Sequence, residues 1–327
     1  MINAHMPDLL RPGDTAAVLA ASGPCDSERL VRGVGVLKSM GLVPWVMESC
    51  HRQHGYLAGA DDLRLRDLHI AFAAPEVRGI FVARGGYGAQ RLLPGLDYGL
   101  IRDNPKVFVG YSDVTALHVV LNQRCGLITF HGPMPGADLG RDTAPFTMQA
   151  LKRMIFAEEE RHGDGSSVAA LKRLQQGTAG DRGVVSMSRL ANPLIKPLTT
   201  IVPGCATGRL TGGNLSLLAA SIGTPYEVDT RGCILFLEET EEAPYRIDRM
   251  LLQLKLAGKL RDATGIILGN FSPQTLETLH ISIRELIITE GKPTLAGLIC
   301  GHTSPTLTLS MGRQVALDAT AKEIKLL

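Results

Sequence analysis

The sequence predicts an α/β protein, with an N-terminal domain built on a parallel sheet and a C-terminal domain of mixed α/β character. Three observations point there. Short apolar runs rich in valine, isoleucine and phenylalanine alternate with helical stretches as far as Phe156. The character changes between Ala157 and about Pro203, where Glu158-Glu159-Glu160 gives way to Gly163-Asp164-Gly165-Ser166-Ser167. Beyond Cys205 strands and helices alternate again and end in a cluster of short strands. A chain of 327 residues suits one large or two medium domains. The expected division is 1–160, a linker with an inserted excursion over 161–204, and 205–327.

Asp14–Ala21 (DTAAVLAA) reads as the first strand and stops at Ser22-Gly23-Pro24. Ser27–Met40 has apolar residues at helical spacing (Leu30, Val31, Val34, Leu37), and Gly41 ends it. Leu42–Met47 is a second strand. Pro44 puts it at a sheet edge, because proline has no N–H to give a central ladder. A polar loop over His51–Gly59 precedes a helix opened by Asp61-Asp62 and ended by Pro75. Val77–Ala83 is a third strand, followed by Arg84-Gly85-Gly86-Tyr87-Gly88 and a short helix at Ala89–Leu93. Glycines directly after a buried strand let backbone N–H groups approach a ligand, and equally make a tight turn. The GGxG spacing is not the dinucleotide fingerprint. Val107–Val109 and Ile128–His131 are further strands, and Phe146–Phe156 is a closing helix.

In the second half, Thr207–Leu210 predicts a strand, Gly212-Gly213-Asn214 a turn and Leu215–Ile222 a helix. Cys233–Leu237 is a buried strand that runs into Glu238, Glu239, Thr240, Glu241 and Glu242. A helix striped by Ile247, Met250, Leu251 and Leu254 follows, then a strand at Gly265–Leu268 and a helix at His280–Thr289. Thr294–Cys300 predicts a strand with Gly301-His302 at its end, and Leu307–Leu327 a hairpin of LTLSMG, RQVALDA and EIKLL. The 161–204 stretch carries a basic helical piece at Val168–Leu174.

Composition narrows the classes. Hydrophobic residues make up 45% and charged residues 20%, and the net charge of +2 comes from interspersed acids and bases, which argues against a nucleic-acid surface. No apolar run reaches the length of a membrane span. The first residues lack the basic start, apolar stretch and cleavage site of a secretory signal, so a soluble, cytoplasmic protein is expected. The six cysteines are scattered with no CxxC pair, and no HExxH or HxH occurs, so no metal site is expected. Most of the thiols are expected to be small buried hydrophobes.

The stretch Val107–His118 (VFVGYSDVTALH) turns from a buried strand into a buried helix. Such a turn presents one side chain at its tip, beside the free N–H groups of the helix start. Ser112 is therefore either a helix cap or a nucleophile. Two more reactive side chains end buried strands: Glu238 after CILFL and His302 after LAGLICG. Ligands of open α/β sheets bind beyond the carboxyl ends of strands. A serine hydroxyl needs a histidine to take its proton, and the histidine needs a carboxylate to fix its tautomer. Ser112, His302 and Glu238 thus form a candidate triad; the plainer alternatives are a loop histidine and a solvated acidic cap. The backbone N–H groups of Gly86 and Asp113 are the candidate oxyanion donors.

Several stretches resemble the LD-carboxypeptidases, serine peptidases that include muramoyl-tetrapeptide carboxypeptidases and microcin C self-immunity peptidases. They are AASGP (20–24), GYLAGADDLRLRDL (55–68), ARGGYGAQRLLP (83–94) and GYSDVTALH (110–118) in the first half. In the second they are GGNLSLLAASIGTPY (212–226), FLEETEEAPYRIDRMLLQL (236–254) and GHTSPTLTLSMG (301–312). The resemblance implies that Ser112 is the nucleophile, Glu238 the triad carboxylate and His302 the base, with the site between the two domains, usually in a homodimer. It implies hydrolysis of a bond to a terminal D-residue, such as release of D-alanine from murein tetrapeptides in the cytoplasm, without metal or organic cofactor. A peptide-nucleotide antibiotic is the alternative substrate. It would favour an aromatic surface near the cleft, and the single tryptophan, Trp45, lies in a strand away from the linker. A binding module with Gly85–Gly88 as an anion cradle is a third reading. The pattern departs from the family at Thr306 and Ser310, where asparagine and proline are common. Arg84, Arg246 and Arg249 are chemically suited to a terminal carboxylate.

Overall fold

The computed structural model describes residues 3–141, 143–157, 185–186 and 198–327; the helix expected at Val168–Leu174 lies outside them. The first sheet grows from β1 (Thr15–Leu19), which pairs in parallel with β2 (Val43–Val46) and β3 (Val77–Val82). Next come β4 (Val107–Gly110), parallel to β3, and β5 (Thr129–His131), parallel to β4. β4 is buried on both faces, as expected for a strand sandwiched between helical layers. β2 lies at the sheet edge and alternates exposed with half-buried residues, as Pro44 required.

The helices of this half are α1 (Ser27–Ser39), α2 (Asp61–Ala73), α3 (Tyr98–Asp103), α4 (Thr115–Val120) and α5 (Pro145–Ile155). α1 starts where the Asp26 carboxylate accepts from Arg29 N–H. α3 has no counterpart in the sequence reading. Its six residues are too few to show a period, although the Asp97 cap, accepting from Leu100 N–H, is a legible start signal.

The second sheet has a parallel centre. β8 (Cys205–Asn214), β9 (Cys233–Glu238), β10 (Gly265–Leu268) and β11 (Thr294–Ala296) pair in that order. β7 (Thr199–Val202) joins β11 antiparallel, so this part of the expected linker is a strand. On the other side, β13 (Gln314–Asp318) pairs antiparallel with β8, β14 (Glu323–Leu326) with β13, and β6 (Val185–Ser186) with β14. Helices α6 (Leu215–Ser221) and α7 (Pro244–Leu256) follow β8 and β9; Ile247, Leu251 and Leu254 of the expected stripe are buried. Among the described residues no helix is long and apolar enough to cross a membrane.

Four sequence expectations differ from the structure. Gly212-Gly213-Asn214 is not a turn, because β8 runs through it in register with Phe236, Leu237 and Glu238. The glycines are needed for close approach: a Cβ on Gly212 would stand 2.0 Å from the Phe236 carbonyl oxygen. The strand expected over Thr294–Cys300 stops at Ala296, and the remainder leaves the sheet as a loop. LTLSMG is not a hairpin arm. Its core, β12 (Leu309–Met311), crosses to the first sheet and pairs antiparallel with β5, leaving only β13 and β14 as the hairpin. The helix expected at His280–Thr289 is an α turn at His280–Ser282 continued by a wider π turn and a 3-10 turn.

Candidate active site

β4 ends at Gly110, Tyr111 is extended, and Ser112 opens a 3-10 turn (Ser112–Val114) that runs into α4. Ser112 has φ +66°, a left-handed conformation that a non-glycine residue holds only where its surroundings impose it. It is not a helix cap. Tyr111 precedes the turn, and neither the turn nor α4 has a side-chain cap. The Ser112 hydroxyl instead lies 3.0 Å from His302 Nε2. His302 Nδ1 lies 2.8 Å from Glu238 Oε2, which also accepts from the His302 backbone N–H at 3.3 Å. The structure therefore brings together all three residues of the sequence-read triad, one from the end of β4, one from the end of β9 and one from the loop after β11.

Glycine makes this approach possible. Gly301 has φ +96°, and a Cβ there would stand 2.3 Å from Glu238 Oε2. The imidazole is held further by its backbone, since Asn270 Nδ2 donates to the His302 carbonyl at 2.9 Å. It packs edge-to-face with the Tyr111 ring, the centroids 4.9 Å apart at 63°. The Tyr111 hydroxyl in turn donates to Asp138 Oδ1 at 2.9 Å. Burial works against a charged imidazole, but the hydrogen bond and charge of Glu238, with Glu239 and Asp138 beyond, outweigh it and hold His302 above the usual histidine value.

Glu239, its neighbour in sequence, does separate work. It is buried and accepts from Asn214 Nδ2 (3.0 Å), Ser216 N–H (2.8 Å) and Ser216 Oγ (2.6 Å), which ties β9 to the start of α6. Asn214 donates its own N–H to Thr115 Oγ1 at 3.0 Å and so fastens the end of β8 to the first turn of α4. Sequence reasoning missed Asn214, Glu239 and Asp138 as supports of the site; the signal available for Asn214 was its helix-cap position before Leu215. His118, within the same motif as Ser112, is fully buried away from the triad. Burial pushes it down to about 4, and its Nε2 donates to Gly110 O at 2.8 Å.

The proposed oxyanion donors are the N–H groups of Asp113 and Gly86. Asp113 N–H follows Ser112 directly. Gly85 packs on the serine so closely that a Cβ would stand 2.9 Å from Ser112 Oγ and 3.5 Å from Asp113 N, and Gly86 follows with φ +110°. Of the arginines, Arg246 pairs with Glu242 at 3.3 Å and Arg249 lies over the Tyr245 ring. Arg84 donates to Pro24 O at 3.0 Å and borders Gly86. Thr306 is buried and its N–H donates to Thr147 Oγ1 at 3.0 Å, and Ser310 lies buried within β12.

Comparison with known proteins shows the family of the chain. Residues 16–132 match the LD-carboxypeptidase N-terminal domain and residues 207–317 the LD-carboxypeptidase C-terminal domain. A probable murein peptide carboxypeptidase of Bacillus subtilis is 40% identical over 97% of this chain and 93% of its own length. Among solved structures, an MccF-like protein of Bacillus anthracis superposes with a TM-score of 0.82 at 27% identity over 99% of both chains. Muramoyltetrapeptide carboxypeptidase of Oxalobacter formigenes does so with a TM-score of 0.77 at 30% identity, over 95% of this chain and 97% of that one.

Proposed function

As the chain belongs to the LD-carboxypeptidase family, we propose that it hydrolyses the bond to a C-terminal D-amino acid and releases D-alanine from murein tetrapeptides. The observation that carries this reading is the unbroken run of contacts from Ser112 Oγ to His302 Nε2 (3.0 Å) and from His302 Nδ1 to Glu238 Oε2 (2.8 Å). His302 takes the serine proton as Ser112 attacks the scissile carbonyl, then returns it to the departing D-alanine amine. Glu238 fixes the Nδ1–H tautomer and stabilises the imidazolium. The N–H groups of Asp113 and Gly86 receive the charge that develops on the carbonyl oxygen. Water repeats the cycle on the acyl-enzyme. The same reading has the enzyme acting in the cytoplasm, in the recycling of cell-wall peptides, as a homodimer.

The direct test is product analysis on a murein tetrapeptide. The wild type is expected to liberate D-alanine, and Ser112→Ala to lose about a millionfold in kcat, as serine peptidases do without their nucleophile. Turnover retained in the variant would sink the mechanism.

One observation favours the second substrate class, a peptidyl-nucleotide conjugate. Tyr56 and Tyr87 are 67% and 49% exposed, with ring centroids 5.6 Å apart, and Tyr87 sits in the glycine loop beside Ser112. Trp45 is thus not the aromatic residue to weigh; this tyrosine pair supplies a stacking surface that the tryptophan count overlooked. Parallel assays of a tetrapeptide and a peptidyl-nucleotide conjugate separate the two by their kcat/KM.

A further inference from the structure

Asp113 and Arg64 are buried charged residues outside the triad, at 1% and 0% exposure. Their side chains meet on one peptide group. Asp113 Oδ2 accepts the Ala89 N–H at 2.7 Å, and Arg64 Nη1 donates to the Gly88 carbonyl at 3.0 Å. The N–H and the C=O of the single Gly88–Ala89 peptide are thus held by an anion and a cation on opposite ends, which fixes the plane of that peptide.

We propose that Asp113 and Arg64 form a clamp that sets the 84–89 loop against Ser112, and that both are positioning residues for the reaction. Arg64 Nη1 also donates to the Ala21 carbonyl, and its Nη2 pairs with Asp61, so the guanidinium cannot shift without breaking several contacts. Gly88 leaves room for it: with φ +125°, a Cβ there would stand 2.8 Å from Arg64 Nη1 and 2.5 Å from Leu57 Cδ2. Upstream in the same loop, the Gly85 carbonyl accepts the Gly23 N–H at 3.1 Å, and Gly85 rests on Ser112. Fixing the loop at Gly88–Ala89 therefore fixes Gly85, which rests on Ser112, and the adjoining Gly86, whose N–H is the proposed oxyanion donor. The glycines of this loop divide the work: Gly85 approaches Ser112, and Gly88 admits the clamp. Burial pushes the Asp113 carboxyl up, while the hydrogen bond from Ala89 N–H and the charge of Arg64 act in the opposite direction. This proposal rests on Ser112 being the nucleophile.

The test uses Asp113→Asn and Arg64→Lys in the full chain, with two readouts: tetrapeptide kinetics, and the rate at which a fluorophosphonate labels Ser112. Oxyanion donors act in the transition state, so the clamp predicts a fall in kcat of about 10²-fold with KM changed less than threefold, and a matching fall in labelling rate. Because both side chains hold one peptide, the double variant is expected to lose little more than the worse single variant. Unchanged kcat, a rise confined to KM, or additive losses would each overturn the clamp. If Asp113→Asn does not fold, Arg64→Lys, which keeps the charge but loses the fork, carries the same prediction. The labelling rate needs no knowledge of the substrate, so it separates the clamp from the murein assignment. A wild type that does not label at Ser112 removes the nucleophile and, with it, the clamp.

Discussion

At the scale of single residues, the site depends on side chains brought closer than ordinary packing allows. Gly301 is the sharpest case, because an alanine there places a methyl group on the Glu238 carboxylate and imposes a positive φ on a residue that resists it. Gly301→Ala is expected to cost about 1–3 kcal/mol of stability and at least tenfold in kcat; a denaturant melt with a parallel tetrapeptide assay checks both. The same carboxylate sets the pH behaviour. His302 acts as base only when neutral and its value is raised, so kcat/KM is expected to fall on the acid side through a value above that of a free histidine. Glu238→Gln is expected to move that limb to lower pH while lowering kcat by about 10⁴-fold, the effect of losing the orienting acid in other serine triads. Stability runs the opposite way. A histidine raised on folding contributes fully below its unfolded value, and the contribution is lost as pH climbs through the folded one. The Tm advantage of wild type over His302→Gln is therefore expected to shrink across the pH range in which activity appears. Little of this was legible locally. Ser112, Glu238 and His302 could be singled out because each ends an apolar run, but Arg64 is one of several charges in α2 and Asp113 a lone carboxylate in a buried stretch, and nothing in either segment names the shared peptide.

At the scale of elements, β12 is the piece whose partner the sequence misassigned. LTLSMG has the apolar alternation of a strand, and that pattern is the same whether the strand folds back on β13 or crosses to β5. The choice is made by long-range packing. Leu309 is fully buried opposite His131, and Asn122 Nδ2 reaches the Met311 carbonyl at 3.2 Å. Leu309→Ala is expected to destabilise the protein by about 2–5 kcal/mol, the range for a buried leucine in a packed core, and urea midpoints measure it. A change below 0.5 kcal/mol would mean that the crossing strand is not integral to the first sheet. The edge position of β2 and the buried strands β4 and β9 were read correctly, because proline placement and continuous apolar runs are local signals with a direct physical cause. β8 was cut short for the complementary reason: its glycines signal a turn in isolation, yet pairing with β9 satisfies their backbone groups as strand.

At the scale of the whole molecule, the two sheets are stitched together at several levels. Val119 of α4 packs in the cluster around α6 and α7, and Asn214 N–H is bound by Thr115. Gln123 and Arg124, just beyond α4, donate to the Glu227 and Pro225 carbonyls. The proposed triad spans the same seam, with Ser112 on one sheet and Glu238 and His302 on the other. The α/β class was legible because each half carries its own strand–helix rhythm; the exchange of β12 was not, since no local pattern encodes which sheet a late strand will join. That exchange has a consequence for synthesis. When the first sheet emerges from the ribosome, β5 still presents an unpaired edge, a template for misassociation, and it stays open until residues 309–311 appear. The strand that closes it follows His302 by only a few residues. His302 and the seal of the first sheet are thus translated almost together, so a prematurely ended chain has neither a finished sheet nor the histidine that Ser112 meets.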